Sequence, residues 1–372
     1  MSRLEYRLAS ALLRILGRIF AFLPIRADRV VLATARVSRL EGNLAYLYRA
    51  MRRRYPERDY VLLLEPYSYR LTGKLAYLGR LIRGTYHLQT ARLFVVDNAY
   101  LPVHVAPHRQ GTTVVQVWHA VGALKRFGLD TVRPPAEPER SFLHRHYDYV
   151  IAAADASRAP YAAAFRTPLE RVLPLGPPRS DFFLDSAAVA EARMRVLDAY
   201  PSLAGRRVVL YAPTFRGRGK GKRPGPLLDA SRLRAGLSDD HVLAIKTHPN
   251  LDSSKVSTTG YDVVIDPSFE INELFSVVDV LITDYSSSIF EYALLRRPLV
   301  LLVPDLDAYE RDPGFYLDFR TEMIGTQVVD TAGVIAAIRD ERFDLSAYEP
   351  FIERHMGAAD GRASERFVDR FL

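Results

Sequence analysis

The chain has 372 residues, of which 48% are hydrophobic and 11% aromatic. That is enough for two domains with full cores and excludes a disordered chain. There is no cysteine, which excludes a disulfide framework, thiolate metal sites and cysteine nucleophiles and fits a reducing compartment. With 51 lysines and arginines against 43 acidic residues the formal charge is +8, a balance that favours anionic partners: phosphorylated substrates, acidic lipid or nucleic acid.

Residues 1–25 predict an amphipathic helix. Leu4, Leu8, Leu12, Ile15, Leu16 and Ile19 recur at helical spacing, with Arg3, Arg7, Arg14 and Arg18 among them. No uncharged run approaches the ~20 residues a spanning helix needs, and Arg14 and Arg18 break the apolar stretch, which disfavours a cleaved signal peptide. A helix lying in the interface of an anionic membrane and a helix packed on the protein's own core both fit the pattern. Arg52, Arg53, Arg54, Lys74, Arg80 and Arg83 would extend a basic face.

From residue 26 onward, strands are expected at 29–34, 60–64, 93–96, 113–118 and 149–152, with helices at 43–55 and 74–82 between them. Continuous apolar runs alternating with helices indicate a parallel sheet covered on both faces. Leu175-Gly176-Pro177-Pro178-Arg179-Ser180-Asp181 breaks the pattern and marks a boundary. The pattern then restarts with a helix at 189–200 and strands at 208–211, 241–245, 263–265, 280–282 and 299–302. The Gly/Arg/Lys-rich insert 216–223 reads as a mobile loop, and a single closing helix is expected over 348–372. The fold class is therefore α/β: two Rossmann-like, doubly wound domains facing a cleft. The expected domains are 26–178 and 179–345, with the helix of 346–372 returning to brace the first.

The motifs exclude several chemistries. There is no Walker A loop and no Gly-x-Gly-x-x-Gly opening a helix, which argues against ordinary nucleotide hydrolases and dehydrogenases. His104, His108, His144 and His146 lack the spacing of a zinc site, so neither a metal nor a cofactor is expected.

Four strand ends carry groups suited to a ligand crevice. Gln116-Val117-Trp118-His119 places an imidazole just past a strand, where it could take a proton from an attacking hydroxyl. Tyr211-Ala212-Pro213-Thr214-Phe215-Arg216 and Lys246-Thr247-His248-Pro249 offer hydroxyl, guanidinium, ammonium and imidazole groups to phosphate oxygens. Thr283-Asp284-Tyr285-Ser286-Ser287-Ser288 opens a helix with hydroxyls, a place for an anion. Ser287 and Glu291 stand one helical turn apart, so the hydroxyl could hold phosphate while the carboxylate meets a ribose; the competing reading of Glu291 is an exposed helix charge.

Taken together and in order, these segments resemble the CDP-glycerol glycerophosphotransferase family, the teichoic-acid primases and polymerases. Leu124-Lys125-Arg126-Phe127-Gly128, Gly176-Pro177-Pro178-Arg179-Ser180-Asp181, Pro304-Asp305-Leu306-Asp307-Ala308-Tyr309 and Gly314-Phe315-Tyr316-Leu317-Asp318 extend the match. The most specific piece is Asp279 through Ala293. The resemblance implies a GT-B fold and transfer of a polyol phosphate, glycerol phosphate foremost, from CDP-glycerol or a similar CDP-polyol, with release of CMP. It implies a lipid-linked or polymeric acceptor at the cytoplasmic face of the cell membrane. By similarity His119 is the general base, His248 serves the phosphates, Thr214, Arg216, Ser286 and Ser287 hold the pyrophosphate, and Glu291 the ribose.

Two positions depart from the family pattern: Ala120-Val121-Gly122 stand where Gly-Thr-Pro usually follows the histidine, and Glu291 stands where aspartate is frequent. A GT-B glycosyltransferase using a nucleotide sugar shares the crevice and the bound pyrophosphate. A non-catalytic module binding anionic lipid or nucleic acid shares the charge, but no nucleic-acid-binding motif accompanies the scattered arginines, so nucleic acid is not expected as a partner.

Overall fold

Strands buried on both faces need helices on both sides, and the structure, a computed structural model, forms two such sheets. It describes residues 3–64, 71–131, 144–217, 223–225, 228–248 and 256–372, apart from the side chains of Arg3, Leu71, Thr72, Lys74 and Leu75. Lys74 in the expected basic face, Pro249 and the centre of the insert at 218–222 therefore lie outside the described set. The chain divides into two compact units, residues 1–181 with 355–372, and residues 182–354.

The first unit contains α1 (Arg3–Phe20), β1 (Arg26–Thr34), α2 (Gly42–Arg54), β2 (Asp59–Leu64), α3 (Leu71–Thr90), β3 (Ala91–Val96), α4 (Leu101–Val105), β4 (Thr113–Gln116), β5 (Tyr149–Ile151), α5 (Arg158–Phe165) and β6 (Val172–Leu173). Its sheet runs β2-β1-β3-β4-β5-β6 with every pair parallel. The chain starts at β1, adds β2 on one side and then proceeds outward on the other, so the strand order reverses between β1 and β3.

The expectation of a helix packed on the protein's own core holds for one face of α1. Ser10, Leu13 and Gly17 are buried, Leu13 packing with Leu81 and Val105. At Gly17 a Cβ would lie 3.2 Å from the Ala106 Cβ, so the helix seats closely there. The opposite face exposes Leu4, Leu8, Ile15 and Ile19, and Phe22 just beyond the helix is 92% exposed.

The second unit contains α6 (Ser186–Ala199), β7 (Arg207–Tyr211), β8 (Phe215–Arg216), β9 (Arg223–Pro224), α7 (Ala230–Gly236), β10 (His241–Lys246), β11 (Val263–Ile265), α8 (Ile271–Leu274), β12 (Val280–Thr283), α9 (Ser288–Ala293), β13 (Leu299–Leu302), α10 (Leu306–Arg311), α11 (Phe319–Glu322), β14 (Thr326–Val328) and α12 (Thr331–Arg339). Its parallel sheet runs β11-β10-β7-β12-β13-β14. Counted from β7 this is the dinucleotide-fold order 3-2-1-4-5-6, with its reversal between β7 and β12. The insert expected as a loop is anchored at its ends, where β8 and β9 pair antiparallel as a short hairpin.

The closing segment is not one helix. α13 (Tyr348–Met356) and α14 (Ala363–Phe371) are separated by a turn that contains Gly361 at φ 83°. Asp181 caps α14 by accepting the amides of Ala363 and Ser364, both at 2.9 Å. α14 buries Phe367 and Val368 against Leu44 and Leu47 of α2 in the core of the first unit, roughly 1.5–3 kcal/mol per side chain.

Candidate active site

In an open α/β sheet a ligand crevice forms outside the carboxyl ends of the strands where their order reverses. In the first unit that place is the end of β1 and β3, and β4 adjoins it. β4 stops at Gln116, two residues short of expectation, because Trp118 turns into the left-handed region at φ 49°. For a bulky residue this conformation costs about 1–3 kcal/mol and needs outside support. The Trp118 amide donates to Oε1 of Gln116 at 2.8 Å, and Asn43 Nδ2 donates to the Trp118 carbonyl at 2.7 Å. Asn43 Oδ1 in turn accepts the Arg179 amide at 3.0 Å, so the Gly-Pro-Pro-Arg junction is tied to the same turn. The indole stacks on Phe127 with ring centres 5.2 Å apart.

His119, half-buried, is delivered by this turn. Its Nδ1 lies 3.3 Å from the carbonyl oxygen of Asp97. A carbonyl can only accept, so Nδ1 carries the proton and the lone pair sits on Nε2. The Asp97 carboxyl is buried beneath; burial raises its pKa against the pull of a bond from Thr34, and its Oδ1 has no hydrogen-bond partner. In place of the usual Gly-Thr-Pro, Ala120-Val121-Gly122 pass over the Tyr161 hydroxyl, which lies 2.9 Å from the carbonyls of both Ala120 and Gly122. The nearby histidines are structural: His104 accepts the His144 amide at 3.0 Å, and burial depresses the His144 pKa to about 4. Among the described residues no histidine and acid group is arranged to hold a metal.

In the second unit the reversal point brings together Thr214, after β7, and Asp284, after β12. Asp284 is 1% exposed and accepts the Thr214 amide and hydroxyl, both at 2.8 Å, and Arg216 Nη1 at 2.7 Å. Arg216 grips Asp305 with its other edge, Nε to Oδ2 at 2.7 Å and Nη2 to Oδ1 at 3.1 Å. Its guanidinium carbon lies 4.9 Å from the rings of Tyr285 and Tyr309, and the Tyr285 hydroxyl donates to Asp305. Burial alone would lower the Arg216 pKa, yet the bonds and charges of Asp305 and Asp284 hold it above the usual arginine value. For Asp305 burial works upward and Arg216 overrides it, keeping the carboxyl below its ordinary range. Gly225, on the hairpin, closes over this lock: a Cβ there would fall 2.5 Å from the Thr214 carbonyl.

Thr214 and Arg216 are thus adjacent, as their sequence positions suggest, but their donors are directed at two carboxylates. Asp284 and Asp305 are the residues that sequence reasoning passed over, although both stand at strand ends inside the quoted motifs. Lys246 is buried and donates to the Pro267 carbonyl at 2.8 Å. His248, half-buried, packs edge-on against Phe215 with ring centres 4.9 Å apart.

Ser286 and Ser287 are the half-exposed residues of the β12–α9 turn. Ser286 Oγ receives the Ser288 amide at 3.2 Å, while Ser287 makes no side-chain cap. α9 has six residues, so its dipole is small, and the hydroxyls and turn amides are what an anion would meet. Glu291 is not an exposed charge. All of α9 is buried, Glu291 is 0% exposed, and its Oε1 accepts Asn272 Nδ2 at 2.8 Å. Beside Pro213 a cavity of about 230 Å³ is lined by Tyr211, Tyr261, Asp229, Ser231 and Pro224.

The sequence profile described as CDP-Glycerol:Poly(glycerophosphate) glycerophosphotransferase matches residues 15–372. The teichoic acid ribitol-phosphate primase of Bacillus spizizenii is 35% identical, over 94% of this chain and 92% of its own length. The teichoic acid poly(ribitol-phosphate) polymerase of the same organism is 34% identical over 100% of this chain, which spans 60% of that relative's length. Among solved structures, that of the wall teichoic acid polymerase TagF has a TM-score of 0.77 at 22% identity, covering 100% of this chain and 97% of that one, a likeness of fold.

Proposed function

The chain belongs to the CDP-glycerol:poly(glycerophosphate) glycerophosphotransferase family, and from that premise we propose that it moves a polyol phosphate from a CDP-activated donor to a hydroxyl of a lipid-linked or polymeric acceptor. The acceptor oxygen attacks the donor's β-phosphorus, the new P–O bond forms as the bond to the α-phosphate oxygen breaks, and CMP leaves. The acceptor proton passes to Nε2 of His119. The observation that carries this reading is the His119 tautomer, fixed by the Asp97 carbonyl at a strand end that the backbone reaches only through the strained Trp118 turn. Positioning and charge compensation supply the remaining acceleration.

On the donor side, Ser286, Ser287 and the turn amides meet the diphosphate, with His248 beside them. The Tyr211–Tyr261 cavity seats the cytosine ring. Thr214 and Arg216 act by holding the β7, β12 and β13 ends in one frame, and Glu291 supports the turn from beneath through Asn272. α1 lies in the interface of an anionic membrane with its Leu4–Phe22 stripe inserted. Among the described residues no helix is long and apolar enough to cross a membrane.

The polyol is the open choice. The family description names glycerol, whereas both relatives above are named for ribitol phosphate; on that support CDP-ribitol is the donor proposed first and CDP-glycerol second. A panel of CDP-ribitol, CDP-glycerol and nucleotide sugars, offered with a lipid-linked acceptor, tests this: turnover is expected with a CDP-polyol, and turnover confined to a nucleotide sugar would overturn it.

A further inference from the structure

Asparagine is a poor helix former because its side chain competes for backbone hydrogen bonds, so one in the first turn of α2 calls for a use. Asn43 is 3% exposed, and its bonds reach segments far from its own helix. Nδ2 donates to the carbonyls of Trp118 at 2.7 Å and Val117 at 3.3 Å, while Oδ1 accepts the Arg179 amide at 3.0 Å. The last bond fixes which way the side-chain amide faces, since turned over it would set an N–H against an N–H. The Trp118 carbonyl belongs to the rigid peptide plane that leads into His119, so holding that oxygen fixes ψ of Trp118. At the other end of the same residue the Trp118 amide donates to Oε1 of Gln116 at 2.8 Å. Gln116 is 0% exposed and is itself fixed by Nε2, which donates to the Asn98 carbonyl at 3.2 Å and the Tyr147 hydroxyl at 2.9 Å. A bulky residue at φ 49° is thus clamped at both ends by buried side-chain amides, and that of Asn43 acts on the peptide that carries His119.

We propose that Asn43 is a positioning residue for the transfer reaction: it pins the Trp118–His119 peptide so that the ring keeps Nδ1 on the Asp97 carbonyl and presents Nε2 to the acceptor hydroxyl. Its part in turnover rests on the reading of His119 as the base; its hold on the ring does not. A bulky residue keeps a left-handed conformation only while its surroundings enforce it, so without the Nδ2 donor the Trp118 peptide turns away. His119 then leaves the Asp97 carbonyl, and a displacement of about 1 Å is enough to lower a rate about 10²-fold. Ser286 and Ser287, the residues assigned to the diphosphate, stand in the second unit and are untouched by this change. The loss therefore falls on kcat and leaves the donor KM.

The test measures kcat and donor KM, with a CDP-polyol and a lipid-linked acceptor, for wild type, Asn43→Ala, His119→Ala and the double variant. Asn43→Ala should lower kcat about 10²-fold with the donor KM within about twofold of wild type. In the His119→Ala background the same change should lower the residual rate by less than about twofold, because a residue that acts through the imidazole has nothing left to position. A loss of about 10²-fold in both backgrounds marks a merely structural role and overturns the proposal, as does an unchanged kcat in Asn43→Ala. The second readout needs no substrate: nitrogen NMR of the full chain labelled at histidine. The His119 signals should place the proton on Nδ1 in wild type and share it with Nε2 in Asn43→Ala; wild-type signals in the variant overturn the proposal. If Asn43→Ala does not fold, Asn43→Asp carries both measurements with the same expectations, being of the same size and keeping an acceptor for the Arg179 amide. Absence of turnover with every CDP-polyol in wild type overturns the transferase reading and with it the part of Asn43 in turnover, while the ring signals still decide its hold on His119.

Discussion

Replacing Arg216 by methionine separates two roles that its sequence position allows. If the guanidinium chiefly bound the donor's phosphates, its loss would raise the donor KM and leave stability alone. The structure instead puts it between two carboxylates. Its partner Asp284 is 1% exposed, so removing the cation breaks a buried pair, which costs about 3–5 kcal/mol. The second partner, Asp305, is 38% exposed and adds at most about 1 kcal/mol after screening. Asp284 retains two donors from Thr214, which favours the lower part of the range. For a unit of this size each kcal/mol shifts the midpoint by about 2–4 °C, so 3–5 kcal/mol corresponds to a fall of roughly 6–20 °C. Differential scanning calorimetry of Arg216→Met, with Asp284→Ala as the reciprocal variant, measures it. A midpoint within about 1 °C of wild type together with a raised donor KM would refute the lock and return Arg216 to the ligand set.

The remaining predictions concern the base, the anion turn and acid stability. His119→Ala should lower kcat by about 10²–10⁴ while costing only about 1 kcal/mol of stability, the bond to the Asp97 carbonyl; near-normal turnover would remove it from the mechanism. Ser286→Ala/Ser287→Ala should raise the donor KM by roughly tenfold, the loss of about 1.4 kcal/mol in hydrogen bonding, with less effect on the acceptor KM. His144, buried and depressed from 6.5 to about 4, is neutral in the folded chain and protonates more readily once unfolded. Stability from this group is therefore complete above pH 6.5 and falls as the pH drops to about 4, by about 3 kcal/mol in total. Denaturant titrations across that window should show the slope, and His144→Gln should reduce it, leaving the part due to His87 and His104, whose pKa values burial also lowers.

The apolar runs of the central strands made both parallel sheets legible, because strands buried on two faces leave an unbroken hydrophobic signature. β6, of two residues, and β14, whose three residues include Thr326 and Gln327, carry no unbroken apolar run and leave no such signature. The family motifs point to His119 and the Ser286–Ser287 turn as candidates, but not to how they are held. Trp118 adopts its left-handed turn through Asn43, 75 residues away, a tertiary hydrogen bond with no local trace. The carboxylates that hold Arg216 lie 68 and 89 residues further along the chain, so no local pattern shows them. Glu291 looked available to a ribose because spacing gives the face of a helix only where one face is exposed, and α9 is buried all round.

Whether the reaction occurs at phosphorus is decided by the nucleotide it releases. Attack at the donor's β-phosphorus transfers the polyol with its phosphate and releases CMP, one equivalent per phosphodiester formed. Attack at a carbon of the polyol would leave that phosphate on the nucleotide. With a CDP-polyol donor and a lipid-linked acceptor, chromatography of the quenched reaction should show CMP rising in step with product; CDP rising in its place would contradict the account.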